Sequence, residues 1–193
     1  MTVNAESRAK SSTHDPIDER RTRESWLVLR SQTGDREALD LLLRGVQDDL
    51  GRYITSLMTD SSDAPDVLQE VLLKIVRKVG TLRDPLLFRP WIFRIASREA
   101  FAKLRAEKEW QQLVDSDIDV DASPNPPSEE SIAEDFDVAR MIANVSLASR
   151  TVIALHYLEG LTHSEIAVAL GLSIGTVKSR LAYGLTQLRK STC

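Results

Sequence analysis

One aperiodic stretch divides an otherwise helical pattern, and it limits what the chain can fold into. Residues Val114-Asp-Ser-Asp-Ile-Asp-Val-Asp-Ala-Ser-Pro-Asn-Pro-Pro-Ser128 carry acidic groups and prolines at a density that no packed helix or strand tolerates. Before this stretch, apolar residues recur at helical spacing from Glu24 to Trp110. After it, the spacing resumes at Ile132, Phe136, Ala139 and Ile142 and continues to the end. No alternating strand pattern appears. The expectation is an all-α chain of two small helical domains, at 24–110 and 132–193, joined by an acidic linker at 111–131. Residues 1–23 read as a flexible polar extension.

Charge follows the same division. The 193 residues sum to −4. Residues 1–110 hold 19 basic and 18 acidic groups, residues 111–139 hold 9 acidic and no basic groups, and residues 140–193 hold 6 basic and 2 acidic groups. The whole-chain value hides a basic carboxy-terminal part, and such asymmetry points to a polyanionic partner. No apolar run is long enough to cross a membrane, and the polar start lacks a leader-like core. A cytoplasmic protein without membrane insertion is expected. The lone Cys193 and the scattered His14, His156 and His163 suggest no disulfide, metal or cofactor.

The carboxy-terminal part carries a chain of local signals. Thr162-His-Ser-Glu165 has the form of a capping box ahead of an apolar run. Gly171 stands where a helix end needs positive φ, and Ser173 can cap the next helix. The spacing Ala167, Gly171, Val177 is that of a helix-turn-helix: close approach, turn, plug. Val177, Leu181, Gly184, Leu185 and Leu188 share one face of the second helix. Its other face offers Thr176, Ser179, Tyr183 and Lys190, flanked by Lys178 and Arg180. Hydroxyls and guanidinium groups there suit phosphates and base edges.

The amino-terminal part holds two informative helices. In residues 63–79, Asp63 can cap and Pro65 suits the first turn. Val67, Leu68, Val71, Leu72, Ile75 and Val79 form the buried side. Asp66, Gln69, Glu70, Leu73 and Arg77 lie outside, where an apolar Leu73 suits a partner surface. Farther on, Phe88, Trp91, Ile92, Ile95, Ala102 and Ala106 are expected to face inward. Arg94, Arg98, Phe101, Arg105 and Lys108 form an outer stripe in which cations bracket a ring, as an unpaired nucleic-acid strand requires.

These segments resemble the extracytoplasmic-function sigma factors of the sigma-70 family. Tyr157 to Leu181, and Gly175-Thr-Val-Lys-Ser-Arg180 above all, resembles region 4. Asp66-Val-Leu-Gln-Glu-Val-Leu-Leu-Lys-Ile75 resembles region 2.2, and Phe88 to Arg105 resembles regions 2.3 and 2.4. The resemblance implies a transcription initiation factor and not an enzyme. It implies docking on the polymerase core, at the β′ clamp through Asp66, Gln69, Glu70 and Leu73, with β contacts nearby. It implies capture of the melted minus-ten strand by Arg94, Arg98, Phe101 and Arg105. Minus-thirty-five duplex recognition would fall to Thr176, Lys178, Ser179, Arg180 and Tyr183. An anti-sigma factor as regulator is also implied, with no small-molecule substrate. The family usually has Asn and Asp where Arg98 and Ala102 stand, and Leu-Pro where Val145-Ser146 stands. Two rival classes are a stand-alone helix-turn-helix regulator, which needs no polymerase-docking helix, and a nucleic-acid enzyme, which needs a catalytic constellation. The alternating Asp115, Asp117, Asp119 and Asp121 in a proline-rich segment do not make one.

Overall fold

A computed structural model describes residues 16–115, 141–142 and 144–191, and every described element is helical. The first half consists of α1 (Pro16–Gln32), α2 (Arg36–Leu57), α3 (Ala64–Lys78) and α4 (Phe88–Asp115), with short 3-10 turns between them. The second half contains α5 (Leu147–Ile153), a π-type turn (Ala154–Leu158), α6 (His163–Leu170) and α7 (Ile174–Ser191).

Local chemistry sets the boundaries. Gly34 adopts φ +92, and Asp35 caps α2 by accepting from the Ala38 amide at 3.0 Å. Leu42, Val46, Leu50, Tyr53 and Ile54 then form the buried face of α2. Tyr53 meets Phe93 of α4 edge-on at 5.2 Å, and its hydroxyl shares a 2.6 Å hydrogen bond with Ser97. Gln32 ties the end of α1 to the Val79 and Leu82 carbonyls at 2.9 and 2.8 Å.

Several expectations are corrected. Helix α1 begins at Pro16, not Glu24, because Arg20 and Glu24 are tied into the core by ion pairs. Helix α4 runs past 110 to Asp115, since no proline or glycine interrupts it there. The Asp63 carboxylate makes no cap bond and instead pairs with Lys103 at 2.7 Å. Ala102 and Ala106 are exposed, and the buried stripe of α4 is Phe88, Ile92, Phe93, Ala96 and Ala100. Trp91 and Ile95 are half-buried beside it. The expected linker beyond Asp115, and the helical spacing at Ile132, Phe136 and Ala139, lie outside the described residues.

A charged cluster lies at the junction of α1, α2 and α4. Glu24, Asp49 and Arg89 are all buried. The Arg89 guanidinium donates to both Glu24 oxygens at 3.1 and 3.2 Å and to Asp49 Oδ2 at 2.6 Å. Arg52 reaches the other Asp49 oxygen at 2.7 Å, and Arg20 bridges both acids from outside. Burial pushes the Glu24 carboxyl up to about 7, against the pull of Arg20. Such a cluster is costly to break, because removing one partner leaves the others charged and dry. Arg89→Met should therefore destabilise the protein by about 3–5 kcal/mol, measurable as a lowered midpoint in chemical denaturation.

Candidate nucleic-acid and partner surfaces

The residues expected at three surfaces lie on α3, α4 and α7, each positioned by local helix geometry. On α3 the strongly amphipathic sequence buries Ala64, Val67, Val71 and Ile75. That leaves Asp66, Gln69, Glu70 and Leu73 exposed on the opposite side. Val76, three residues beyond Leu73, is exposed as well, so the apolar spot is a pair and not a single residue. The i, i+3 spacing in the sequence could have shown this. Lys74 turns away to pair with Glu99 of α4, which accounts for an acidic residue close to the inward side of that helix.

The outer stripe of α4 is more crowded than its sequence suggests. Arg98, Arg105 and Lys108 are exposed, whereas Arg94 and Phe101 are half-buried. Arg98, Phe101, Arg105 and Lys108, together with Leu104, Leu147 and Arg150, line a cleft of about 870 Å³ between the two halves of the chain. The Arg94 guanidinium donates to the Val168 carbonyl of α6. Cations flanking a ring are present, as an unstacked base and its phosphates require. The face is partly covered by the second half, and no local sequence signal foretold that.

The helix-turn-helix forms as expected. The Thr162 hydroxyl accepts from the Glu165 amide at 3.3 Å, and Glu165 accepts from the Thr162 amide at 2.8 Å. Gly171 is left-handed at φ +67, and Val177 is fully buried. Ser173 accepts from the Thr176 amide at 3.1 Å to start α7. Lys178, Ser179 and Tyr183 are then exposed, with Thr176 and Arg180 partly so. Tyr183 accepts from Gln187 at 3.1 Å, which steadies its ring on the outer face. Lys178 and Arg180 form no ion pair with any described residue, so their charge faces outward uncompensated. His156 and His163, seven positions apart in the sequence, stack at 5.0 Å beside this motif. Among the described residues no group of three or more His, Cys, Asp or Glu side chains could hold a metal. No described helix is long and apolar enough to cross a membrane.

Two family models match the chain: sigma-70 region 2 over residues 42–109 and sigma-70 region 4 over residues 142–190. The chain is 31% identical to the ECF RNA polymerase sigma-E factor of Escherichia coli K12, with 80% of this chain and 86% of that protein covered. It is 30% identical to the sigma-E factor of Haemophilus influenzae, over 80% of this chain and 87% of that one. Among solved structures it resembles CnrH in complex with the cytosolic domain of CnrY, with a TM-score of 0.65, 21% identity, and 88% and 97% of the two chains covered. It also resembles the sigma factor RpoE in complex with the anti-sigma factor NepR from Bartonella quintana. There the TM-score is 0.63 at 24% identity, with 78% of this chain and 94% of that one covered. The chain belongs to the extracytoplasmic-function sigma factors of the sigma-70 family.

Gly184, on the inner face of α7, holds the recognition helix at its angle. A Cβ there would meet Ile153 Cδ1 at 2.6 Å and Ser149 Cβ at 3.0 Å. Gly184→Val should push α7 off α5 and cost about 1–3 kcal/mol through overpacking. Denaturation monitored by helical circular dichroism would show the loss.

Proposed function

We propose that the protein directs promoter-specific initiation by binding the polymerase core through α3 and promoter DNA through α4 and α7. The observation that carries this reading is the coexistence, in one chain, of an exposed Leu73–Val76 face on α3 and a complete helix-turn-helix. A stand-alone regulator has use for the second alone. The action is stoichiometric: Asp66, Gln69, Glu70 and Leu73 supply the docking face on the β′ subunit. Arg94, Arg98, Phe101 and Arg105 take the melted minus-ten strand by charge and stacking. Thr176, Lys178, Ser179, Arg180 and Tyr183 take the minus-thirty-five duplex, with phosphate contacts that weaken steeply with salt. Arg98 in place of the family's usual Asn, and Ala102 in place of Asp, shift the α4 face toward backbone binding. The work is cytoplasmic. Regulation falls to an anti-sigma factor, a reading supported by the two similar solved structures, which are complexes with the cytosolic domain of CnrY and with the anti-sigma factor NepR.

Leu73→Glu should abolish retention of polymerase core in a pull-down while leaving the denaturation midpoint unchanged. Unchanged retention would remove α3 from the docking surface. In parallel, Arg180→Ala should weaken duplex-promoter binding by about tenfold or more, equivalent to a lost base contact of about 1–3 kcal/mol.

A further inference from the structure

Helix α7 comes closest to α5 at Gly184, where an added Cβ would meet Ile153, Ser149 and Val145 at 3.4 Å or less. About one turn farther on, Gln187 lies beside the start of α5. Its side-chain oxygen accepts from the Ser146 amide at 3.4 Å, and its side-chain nitrogen donates to the Tyr183 hydroxyl at 3.1 Å. One partly buried side chain thus links the backbone that opens α5 to an exposed tyrosine on the outer face of α7.

The Ser146 amide decides which way round the Gln187 amide sits. Ser146 is the N-cap of α5, and the first N–H groups of a helix have no acceptor within it. Its carbonyl accepts from the Ser149 and Arg150 amides at 2.9 and 2.8 Å, which holds the residue in place. An N–H cannot donate to an NH2 group, so the glutamine presents its oxygen to Ser146 and its nitrogen to Tyr183. A phenol hydroxyl has a single proton and accepts through its lone pairs. With Gln187 on the accepting side, the Tyr183 proton turns outward. A reversed glutamine would take that proton for itself and leave only lone pairs facing outward, which repel another acceptor.

We propose that Gln187 is a positioning residue for promoter recognition: held by the Ser146 amide, it makes the Tyr183 hydroxyl a hydrogen-bond donor toward an acceptor on duplex DNA, a phosphate oxygen or the acceptor edge of a base. This rests on the reading of α7 as the duplex-binding helix. It adds to that reading the direction of one proton and two residues, Ser146 and Gln187, that act through Tyr183. The charge of Lys178 and Arg180 attracts phosphate at any orientation, whereas a neutral hydroxyl contributes only when its proton is aimed at the acceptor.

The test reads polarisation of a fluorescent duplex selected from a randomised pool by the full chain, beside a shuffled duplex of the same composition. Tyr183→Phe keeps the ring and removes the donor, and should weaken binding by about tenfold. Ser146→Pro removes the amide proton at φ −50 and ψ 141, a conformation open to proline, and the serine side chain it replaces makes no cap bond. It should weaken binding several-fold by letting the glutamine reverse. Gln187→Glu keeps the size and the bond to Ser146 but accepts from Tyr183 where glutamine donates, so it should lose at least as much as Tyr183→Phe. Both changes are repeated with Tyr183→Phe, where no proton remains to orient. Ser146→Pro should then have no effect, and Gln187→Glu should show only the smaller loss from its added charge. Equal losses with and without the hydroxyl mean packing or charge alone and overturn the proposal. Unchanged affinity in Tyr183→Phe overturns it too. If Arg180→Ala still weakens binding in that case, α7 remains the duplex-binding helix, and if it does not, that reading falls as well. A Tyr183→Phe loss of equal size on both duplexes supports the proposal with a phosphate acceptor, and a loss confined to the selected duplex supports it with a base edge.

Discussion

Arg89 and its two carboxylates set the geometry on which the first half depends. Three helices meet at this point, and each contributes a largely buried ionisable group: Glu24 from α1, Asp49 from α2 and Arg89 from α4. An apolar contact would hold these helices at a range of rotations. A bidentate guanidinium holds them at one, because its donors are fixed in a plane. The rotation of α4 about its own axis is set here, near its start. Every residue farther along, from Arg94 through Lys108, takes its direction from that setting. The Tyr53–Ser97 hydrogen bond and the Tyr53–Phe93 edge contact fix the same rotation one and two turns on.

The same cluster connects to the second half. Asp49 is shared between Arg89 and Arg52, and Arg52 also faces Glu159 at the base of the helix-turn-helix. Helix α3 is bound to α4 by Lys74–Glu99 and Lys103–Asp63. The first half is consequently a braced unit, and the arginines that reach across from it move with it.

Legibility in the sequence followed the range of the interaction. The capping box at Thr162–Glu165, the left-handed Gly171 and the Asp35 cap each involve partners within five residues, and each appears where the pattern places it. The buried and exposed sides of α3 were equally legible, because one dominant period decides them. Helix α4 was harder. Assigning Ala102 and Ala106 to the core exchanged a wet face for a dry one. Alanine carries too little apolar surface to report its own orientation. Gly184 was placed on the correct face, yet its role as the point of closest approach to Ile153 and Ser149 depends on a neighbour more than thirty positions away in sequence.

The contacts between the halves were the least legible, and the reason is physical. Arg21, Arg52 and Arg94 are surface-type residues in a sequence with 25 basic groups, and nothing local separates an arginine that grips from one that is solvated. Their targets are equally disguised. Glu165 already has a complete explanation as a capping residue, yet it also pairs with Arg21, and a backbone carbonyl such as Val168 leaves no trace in the sequence. A residue with one sufficient role conceals a second. At Val168 the contact uses Arg94, a cation of the α4 stripe, to bind the protein's own backbone. The resemblance to known families describes each half correctly and is silent on the angle between them. That angle decides whether Arg94 faces solvent or α6, and in this structure Arg94 donates to the Val168 carbonyl of α6 while Arg98 and Arg105 stay exposed.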